Sequence, residues 1–384
     1  MQKTSKHQCM RCGKDCKRKS TLISHLQRKT VCPSTLKNCS RSKLLTKCLK
    51  GGDLNDNFGK IICLGEFGGV AAGNLSCYLL QIGLGNDGKP EYLCLDGGSP
   101  IDGLWKYNSQ KENKGKEISL QQIKGYLVSH CHLDHVAGLA IMTPATFGWA
   151  EPPALIASKT ALKEMEENIF NDVLWPKILW NNFKRMPLFG FQYTQNSMNA
   201  SESTKLRNVS VSMDHVFHGN KEKGSSVFYI TDTISNKTVV YFGDVTSVEH
   251  MSMTPKQQAR VQLDRAWNRI ASMDVSSIFI ECAFSNAYSM LFGHLNPKLL
   301  KDEIEIYLRL RNKENNNTNN TNPFTLFVTH MKPLPNGDEK DRTTIMSEVT
   351  QSLQQYPFIT VQFLRQGESF PAQVKQTNST TQAN

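Results

Sequence analysis

Residues 129–139 read SHCHLDHVAGL and place three histidines and an aspartate within six positions, in a chain of 384 residues with only ten histidines. Imidazole nitrogens and carboxylate oxygens suit zinc, manganese and ferrous iron. A single zinc ion would need only three of these groups and a water molecule. The four candidate ligands His130, His132, Asp134 and His135 therefore predict half of a site for two metal ions.

The local geometry follows from the segment KGYLVSH, which has the pattern of a strand. In a strand, His130 and His132 would project to the same side because side chains alternate with a period of two. Cys131 would then point away into packing. A turn after the strand would let Asp134 and His135 reach a second position close by.

Later segments supply the other half of the site. His215 and His218 lie in DHVFHG, Asp244 follows VVYFG, and His330 ends FTLFVTH. Asp244 and His330 each follow an apolar run, where a strand would deliver a side chain to a shared rim. A single histidine after a strand is usually a structural hydrogen-bonding residue, but four such placements in this order favour a shared metal site.

The elements that carry these residues are short apolar runs punctuated by glycine or aspartate, which is typical of strands. In chain order they are IICLGEFGG, LSCYLLQIG, EYLCLDGGS, KGYLVSH, VFYI, TVVYFGD, SSIFIE and FTLFVTH. The segments TALKEMEENIF, TPKQQARVQLDRAWNRIA, NPKLLKDEIEIYLRL and DRTTIMSEVTQSLQQ have helical patterns. Strands first and strand–helix alternation later predict a mixed α/β sandwich. The glycines of GEFGG and LDGGS are expected to turn tightly beneath the site.

Charge divides the chain into two modules. Residues 1–50 hold 14 Lys and Arg against one acidic residue, and residues 51–384 hold 31 against 33. The net charge of +11 therefore belongs to the N-terminal segment. Such a basic segment favours a nucleic-acid or acidic protein partner, although a solubilising tail has the same composition.

Hydropathy and cysteine usage indicate the cellular compartment of the protein. No run of 18 apolar residues is present, so we expect no membrane span, and the polar start MQKTSKHQCM is not expected to be a secretory signal. The 11 cysteines are then expected to be reduced thiols or metal ligands rather than disulfides. The sequence predicts a cytoplasmic protein, with the nucleus as the alternative.

The basic segment contains CMRCGKDCKRKSTLISHLQRKTVC. Two residues separate Cys9 from Cys12, twelve separate Cys12 from His25, and Cys32 lies further along. This resembles a zinc finger with cysteine in place of the second histidine, which implies one structural zinc ion needed for folding. The alternative is a disordered basic tail with incidental cysteines.

Four segments are predicted from these patterns. They are a zinc-finger-like basic module (1–35), a linker (36–60), a domain that carries the candidate metal site (61–370) and a disordered tail (371–384). An Asn-rich loop at 312–323 interrupts the third segment and has no assigned function.

The order HxHLDH, HG, GD, GHL and TH resembles the metallo-β-lactamase superfamily, and the flanking words resemble its class II cyclic-nucleotide phosphodiesterases. The supporting words are HCHLDHVAGL, NIFNDVLWP, VFHG, FYITD, VVYFGDV, FIECAF, LFGHLNP and FVTHMKP, which span about residues 60–370. The resemblance implies an αββα sandwich and two divalent metal ions, with zinc favoured. It also implies hydrolysis of 3′,5′-cyclic AMP, with cyclic GMP as a further substrate, to the 5′-nucleoside monophosphate. A homodimer is allowed.

Carried over by position, the resemblance implies seven metal ligands: His130, His132 and His218 for one ion, Asp134, His135 and His330 for the other, and Asp244 as the bridge. His218 is preferred to His215 because the matching histidine stands directly before glycine. His215 and Asp214 are then expected to support the ligands from behind.

Two more residues join Asp134 as candidate catalytic groups. Glu281 ends SSIFIE, and His294 lies in GHLNP. In tRNA 3′-processing enzymes of the superfamily, a glutamate–histidine pair in these places supports proton transfer to the leaving oxygen. An acidic partner also raises the basicity of an imidazole and fixes its tautomer. The alternatives are a structural role for Glu281 and direct metal ligation by His294.

Two other functions stay open. A tRNA 3′-processing type of nuclease would use the same metals, with the basic segment contacting the phosphate backbone. Residues 60–370 lack a basic excess, however, and NIFNDVLWP matches the cyclic-nucleotide family. The second alternative is a zinc-finger protein that binds a nucleic acid or a partner and carries an inactive hydrolase domain. The complete ligand set argues against it.

Overall fold

The structure is a computed structural model that describes residues 58–371. Nine short internal ranges are excepted: 178–183, 189–197, 200–205, 207–208, 220, 247, 249–252, 315–321 and 333–338. The predicted zinc ligands Cys9, Cys12, His25 and Cys32 lie outside the described residues, as do most of the linker and the tail after 371. The predicted division into segments therefore stays a prediction.

Two seven-stranded mixed sheets form the centre of the described part. The first contains β1 (Ile61–Gly65), β2 (Cys77–Leu84), β3 (Pro90–Leu95), β4 (Ile123–Val128), β5 (Ala154–Ser158), β6 (Lys184–Leu188) and β14 (Ser369–Phe370). Its strand order is β14-β1-β2-β3-β4-β5-β6. Pairing is antiparallel from β14 to β3 and parallel from β3 to β6.

The second sheet repeats this arrangement. It contains β7 (Met198–Asn199), β8 (Val209–His218), β9 (Lys221–Asp232), β10 (Thr238–Phe242), β11 (Val275–Glu281), β12 (Phe324–Thr329) and β13 (Ile359–Gln362). Its strand order is β13-β12-β11-β10-β9-β8-β7. Pairing is antiparallel from β7 to β10 and parallel from β10 to β13.

In the described ranges, six α-helices cover the outer faces. They are α1 (Pro100–Ser109), α2 (Leu133–Met142), α3 (Lys159–Asn168), α4 (Met253–Ala271), α5 (Pro297–Glu314) and α6 (Glu339–Leu353). Short 3-10 turns occupy Lys111–Asn113, Leu120–Gln122 and Thr143–Thr146. Among the helices in the described ranges, none combines the length and the apolar character needed to cross a membrane.

Three apolar layers hold the sheets and helices together. Alternate residues of β1 show the division, because Ile61 and Cys63 pack between the two sheets while Ile62 and Leu64 pack against the helices of the first sheet. A third layer joins the second sheet to α4, α5 and α6, with Trp267 fully buried in it. The predicted α/β sandwich is confirmed as helix, sheet, sheet, helix.

The sequence predicted most of these elements but missed several. The four predicted helices correspond to α3, α4, α5 and α6, and α5 runs to Glu314, past the predicted start of the Asn-rich loop. Helices α1 and α2 were not predicted, and neither were the strands β5, β6, β7, β8, β13 and β14. The five cysteines of the described part, Cys63, Cys77, Cys94, Cys131 and Cys282, are free thiols.

Candidate metal centre

The carboxyl ends of three parallel strands in the second sheet meet at one edge. Asp244 lies two residues after β10, Glu281 ends β11, and His330 directly follows β12. Parallel pairing aligns Glu281 with Thr329, so the side chains beyond these positions emerge side by side. Ligand sites in open parallel sheets form at such carboxyl ends.

The first sheet delivers its residues through a turn rather than through strand pleating. Strand β4 ends at Val128, so His130 and His132 lie beyond it, and α2 begins at Leu133. The expectation that a strand aligns the two histidines is therefore wrong. The turn into the helix aligns them instead, and Asp134 and His135 occupy the first helical turn.

Cys131 points away from the site, as expected. Its thiol donates a hydrogen bond to the Ala161 carbonyl oxygen at 3.1 Å, at the inner surface of α3. The side chain also packs against the core between the first sheet and its helices. Its neighbours on both sides are thereby free to face the cluster.

Asp244 sits between two groups of candidate ligands. Its Oδ2 lies 3.8 Å from His130 Nε2 and 3.6 Å from His218 Nε2. Its Oδ1 lies 3.2 Å from His135 Nε2 and 3.3 Å from His330 Nε2. The two oxygens of one buried carboxylate therefore face different groups, as a bridging ligand requires.

The remaining two predicted ligands complete these groups. His132 Nδ1 lies 3.3 Å from His218 Nε2, and Asp134 Oδ2 lies 3.2 Å from His330 Nε2. The candidate ligand atoms within each group all lie within 4.8 Å of one another. The groups are His130, His132, His218 and Asp244 on one side, and Asp134, His135 and His330 on the other. The structure brings together all seven residues implied by the resemblance.

Unpartnered buried atoms test whether these residues fit metal ions. Three atoms that face the cluster, His130 Nε2, His135 Nε2 and Asp244 Oδ1, are buried and form no hydrogen bond of acceptable geometry in the described part of the protein, although the last two lie 3.2 Å apart. Leaving buried polar atoms unpaired costs about 1–3 kcal/mol each. Imidazole nitrogens and carboxylate oxygens in this arrangement fit divalent metal ions.

Asp214 does not support the cluster, which corrects that expectation. Its carboxylate accepts hydrogen bonds from Tyr229 Oη at 2.8 Å and from Arg269 at 3.1 Å, between β9 and α4. His215 belongs to neither group of candidate ligands. The preference for His218 over His215 agrees with this geometry.

A second pair of residues lies beside the cluster. His294 Nδ1 donates to the Glu281 carboxylate at 2.9 Å, and the other Glu281 oxygen accepts from the Val245 backbone N–H at 2.6 Å. His294 Nδ1 also lies 3.8 Å from Asp244 Oδ2. A further candidate ligand group consists of Asp244, His294 and His330, so both predicted roles of His294 remain compatible with the geometry.

Comparison with known proteins identifies the family. The profile of the class-II cAMP phosphodiesterases matches residues 101–364. The chain belongs to this family. A 3′,5′-cyclic-nucleotide phosphodiesterase of Schizosaccharomyces pombe is 27% identical over 345 residues, covering 83% of this chain and 94% of the relative. One of Aliivibrio fischeri is 25% identical over 313 residues, covering 76% and 86%.

The fold has solved counterparts. The crystal structure of unliganded yeast PDE1 superposes with a TM-score of 0.62 at 18% identity, covering 82% of this chain and 99% of that one. The metallo-β-lactamase fold protein YhfI of Bacillus subtilis gives a TM-score of 0.51 at 15% identity, covering 82% and 99%. The metallo-β-lactamase fold and the enzyme class predicted from the sequence are therefore confirmed.

In this phosphodiesterase, burial and neighbouring charges favour the metal-binding protonation states of His130, His218 and Asp244. Burial holds the pKa of His130 well below its usual value and lowers the pKa of His218 to about 3, so both rings are neutral at pH 7. Burial raises the pKa of Asp244, but the surrounding histidines, His330 and His135 first, more than reverse this and hold it well below normal. Neutral imidazoles and an ionised carboxylate are the forms that bind metals.

His135 and Asp134 respond to their own partners. Burial disfavours a charge on His135, yet the carboxylates of Asp244 and Asp96 hold its pKa well above the usual value. Burial also raises the pKa of Asp134, but the hydrogen bond from His330 and the charge on His135 more than reverse this and hold it below its usual value, so the carboxyl group is ionised. Without a metal, the raised pKa keeps a proton on His135, and a divalent cation bound at Nε2 would take the place of that proton between the carboxylates.

Asp96 is a candidate positioning residue that the sequence analysis missed. It follows β3, is fully buried, and accepts a hydrogen bond from His135 Nδ1 at 2.7 Å. Its carboxylate also accepts from Ser129 Oγ at 2.8 Å and from Tyr241 Oη at 2.6 Å. A carboxylate behind a ligating histidine fixes the tautomer and directs Nε2 at the metal. Its place after the apolar run EYLCL is the same signal that revealed Asp244.

The glycine segment GEFGG closes beneath the site, as expected. A Cβ atom on Gly68 would lie 2.3 Å from the His330 ring, so only glycine leaves room for that ligand. The next residue, Gly69, donates its backbone N–H to Asp134 Oδ2 at 2.7 Å. His330 itself has a left-handed φ of 56°, which costs about 1–2 kcal/mol for an L-residue and persists where surrounding contacts enforce it.

Proposed function

We propose that this chain hydrolyses 3′,5′-cyclic AMP, and cyclic GMP with it, to the 5′-nucleoside monophosphate at the His/Asp cluster. The observation that carries the proposal is the Asp244 carboxylate, whose two oxygens face two ligand groups beside the Glu281–His294 pair. The curated relatives described above act, by name, on 3′,5′-cyclic nucleotides, which supports this substrate class.

We propose two zinc ions as the metals. One would be held by His130, His132 and His218 and the other by Asp134, His135 and His330, with Asp244 between them. When bound, such ions would lower the pKa of a water molecule toward neutrality and offset the negative charge of the phosphate. Nitrogen-rich ligand sets with carboxylates favour zinc, although manganese and ferrous iron accept the same donors.

The chain's own residues then need to deliver a proton. Hydrolysis forms a bond from a water oxygen to phosphorus and breaks the bond from phosphorus to the 3′ oxygen. The attacking water gives up one proton, and the leaving 3′ oxygen takes one up. His294 is the proposed donor because it is 4% exposed and adjoins the cluster. Glu281 engages Nδ1, so Nε2 is the nitrogen that can exchange a proton with the substrate. Burial lowers the pKa of His294, but the Glu281 carboxylate reverses this and produces a net rise.

The test is a product analysis. Zinc-loaded protein is incubated with cyclic AMP, and separately with cyclic GMP, and the nucleotides are separated by chromatography. The proposal predicts 5′-AMP, and 5′-GMP in the parallel reaction, with both reactions stopped by a chelator. Bound metal without turnover of either nucleotide would contradict it and make an RNA 3′ trailer, the substrate of the predicted nuclease alternative, the next one to test.

A further inference from the structure

We infer that Lys332 contacts the substrate, and that its ammonium group binds the phosphate oxygens of the cyclic nucleotide beside His294. The inference rests on the proposed function, because it assigns a new residue to the same site. Lys332 lies only two residues after His330, yet it is neither a candidate metal ligand nor part of the Glu281–His294 pair.

The ammonium group of Lys332 contacts the imidazole ring of His294. Lys332 Nζ lies 2.9 Å from His294 Nε2. A lysine ammonium group has donors only, so Nε2 accepts in this geometry and carries no proton, while the opposite nitrogen, Nδ1, faces Glu281. Once Nε2 carries the proton that His294 is proposed to donate, the ammonium group can no longer donate to it and turns to the phosphate oxygens. Lys332 therefore reaches the nitrogen that is proposed to exchange a proton with the substrate, and its charge stands at the place where the 3′ oxygen would leave.

Backbone hydrogen bonds on both sides of the lysine fix its position. The Lys332 N–H donates to the Ala283 carbonyl oxygen at 3.0 Å, and the carbonyl of Met331 accepts from the Gly68 N–H at 3.0 Å. The aliphatic stem runs along Gly69, where an added Cβ atom would meet Lys332 Cδ at 3.7 Å. Two backbone anchors and a packed stem aim the ammonium group at the cluster, which differs from the free rotation of a surface lysine.

The positive charge of Lys332 has no acidic partner in the described part of the protein. In the described part of the chain, no carboxylate forms an ion pair with Lys332, and its single side-chain hydrogen bond goes to His294. Two N–H donors of the ammonium group are therefore left for another acceptor. A cyclic phosphodiester carries one negative charge on its two non-bridging oxygens. Charge-assisted hydrogen bonds to such oxygens are short and about twice as strong as neutral ones.

The experiment compares Lys332→Met with Lys332→Arg and with a matched control, Lys298→Met. Lys298 is exposed in the first turn of α5 and has no place in the site. KM and kcat are measured for cyclic AMP. Dissociation constants for 5′-AMP and for adenosine are measured by calorimetry on metal-free and zinc-loaded protein. Adenosine lacks the phosphate and reports on the rest of the pocket.

The inference predicts that Lys332→Met weakens 5′-AMP binding at least about tenfold, the loss expected for a hydrogen bond to a charged group. KM for cyclic AMP rises by a similar factor. Adenosine affinity and zinc content stay unchanged, Lys332→Arg recovers part of the loss, and Lys298→Met behaves like the wild type. Thermal unfolding verifies that the variants are folded, and Lys332→Gln is the second neutral replacement.

Two results would overturn the inference: unchanged 5′-AMP affinity in both neutral variants, or an equal loss for adenosine, which would indicate a distorted pocket. Failure of the proposed function looks different, because the wild type itself would then bind zinc without converting cyclic AMP. In that case the calorimetric comparison, with inorganic phosphate as the probe, still tests Lys332. Equal or absent phosphate binding in the wild type and in Lys332→Met would reject it.

Discussion

The two sheets supply the site in different ways. The first sheet contributes four candidate ligands from one segment, residues 130–135, at the turn between β4 and α2. The second sheet contributes them singly, from β8 and from the ends of β10 and β12. Local sequence therefore determines the first half of the site, whereas strand order and pairing determine the second.

This difference makes the second half sensitive to register. A slip of one residue in a strand turns every side chain to the opposite face. The parallel pairing of Glu281 with Thr329 keeps the proton-transfer pair next to His330. The first half has no such dependence, since its residues share a single turn. The comparison implies that ligands from the two halves fail differently when they are removed, and Asp244 and Asp134 test this.

The largest effect is expected for Asp244→Ala. Because Asp244 faces both ligand groups, its removal should lower bound zinc from about two ions per chain to below one and reduce turnover to background. Asp134→Ala removes a ligand of one group only and should also abolish turnover while retaining one ion. Metal content is measured by elemental mass spectrometry beside the cyclic AMP assay. His215→Ala, outside both groups, is the control and should retain two ions, and full activity in either aspartate variant would refute these assignments.

His294→Asn is expected to have the next largest effect. If His294 is the proton donor, kcat should fall by about 10²–10⁴-fold with both metals retained. Glu281→Gln should lower kcat less, because it removes the orienting charge and leaves the imidazole in place. The same metal analysis separates the two roles of His294, since loss of an ion from His294→Asn would show that it is a ligand.

A smaller effect is expected for Asp96→Asn, which tests support from behind the first-sheet ligands. Asp96 holds His135 through Nδ1, so the neutral amide should weaken binding of one metal by about 10–100-fold. Titration with a zinc-selective chelator measures this affinity. An unchanged affinity would mean that the turn into α2 alone positions His135.

The smallest effect is expected for removal of residues 1–55. If the predicted zinc-finger module is a separate appendage, kcat/KM for cyclic AMP should remain within about twofold of the full chain. A collapse of activity would show that the two modules depend on each other.

Several features inferred from the sequence stay predictions: the zinc ion of the finger, its nucleic-acid or protein partner, the homodimer, and the cytoplasmic or nuclear location.

The sequence indicated the seven candidate ligands in three ways: the dense HCHLDH segment, the positions of Asp244 and His330 after apolar runs, and, for His218, the family resemblance. It did not reveal Asp96 as the partner of His135, because 39 residues separate them and the parallel pairing of β3 with β4 creates the contact. The place of Lys332 in the site was not predicted for the same reason. Its contact with His294 joins residues that are 38 positions apart and meet only at the edge of the sheet. Asp214 was wrongly expected to support the cluster, because its position beside His215 in the sequence does not show to which face of the strand its side chain points.

The most direct test of the central claim is anomalous diffraction from crystals of the zinc-loaded protein, collected on both sides of the zinc absorption edge. The account predicts two zinc peaks, one among His130, His132 and His218 and the other among Asp134, His135 and His330, with the Asp244 carboxylate between them. A single peak, or two peaks that do not share Asp244, would contradict it.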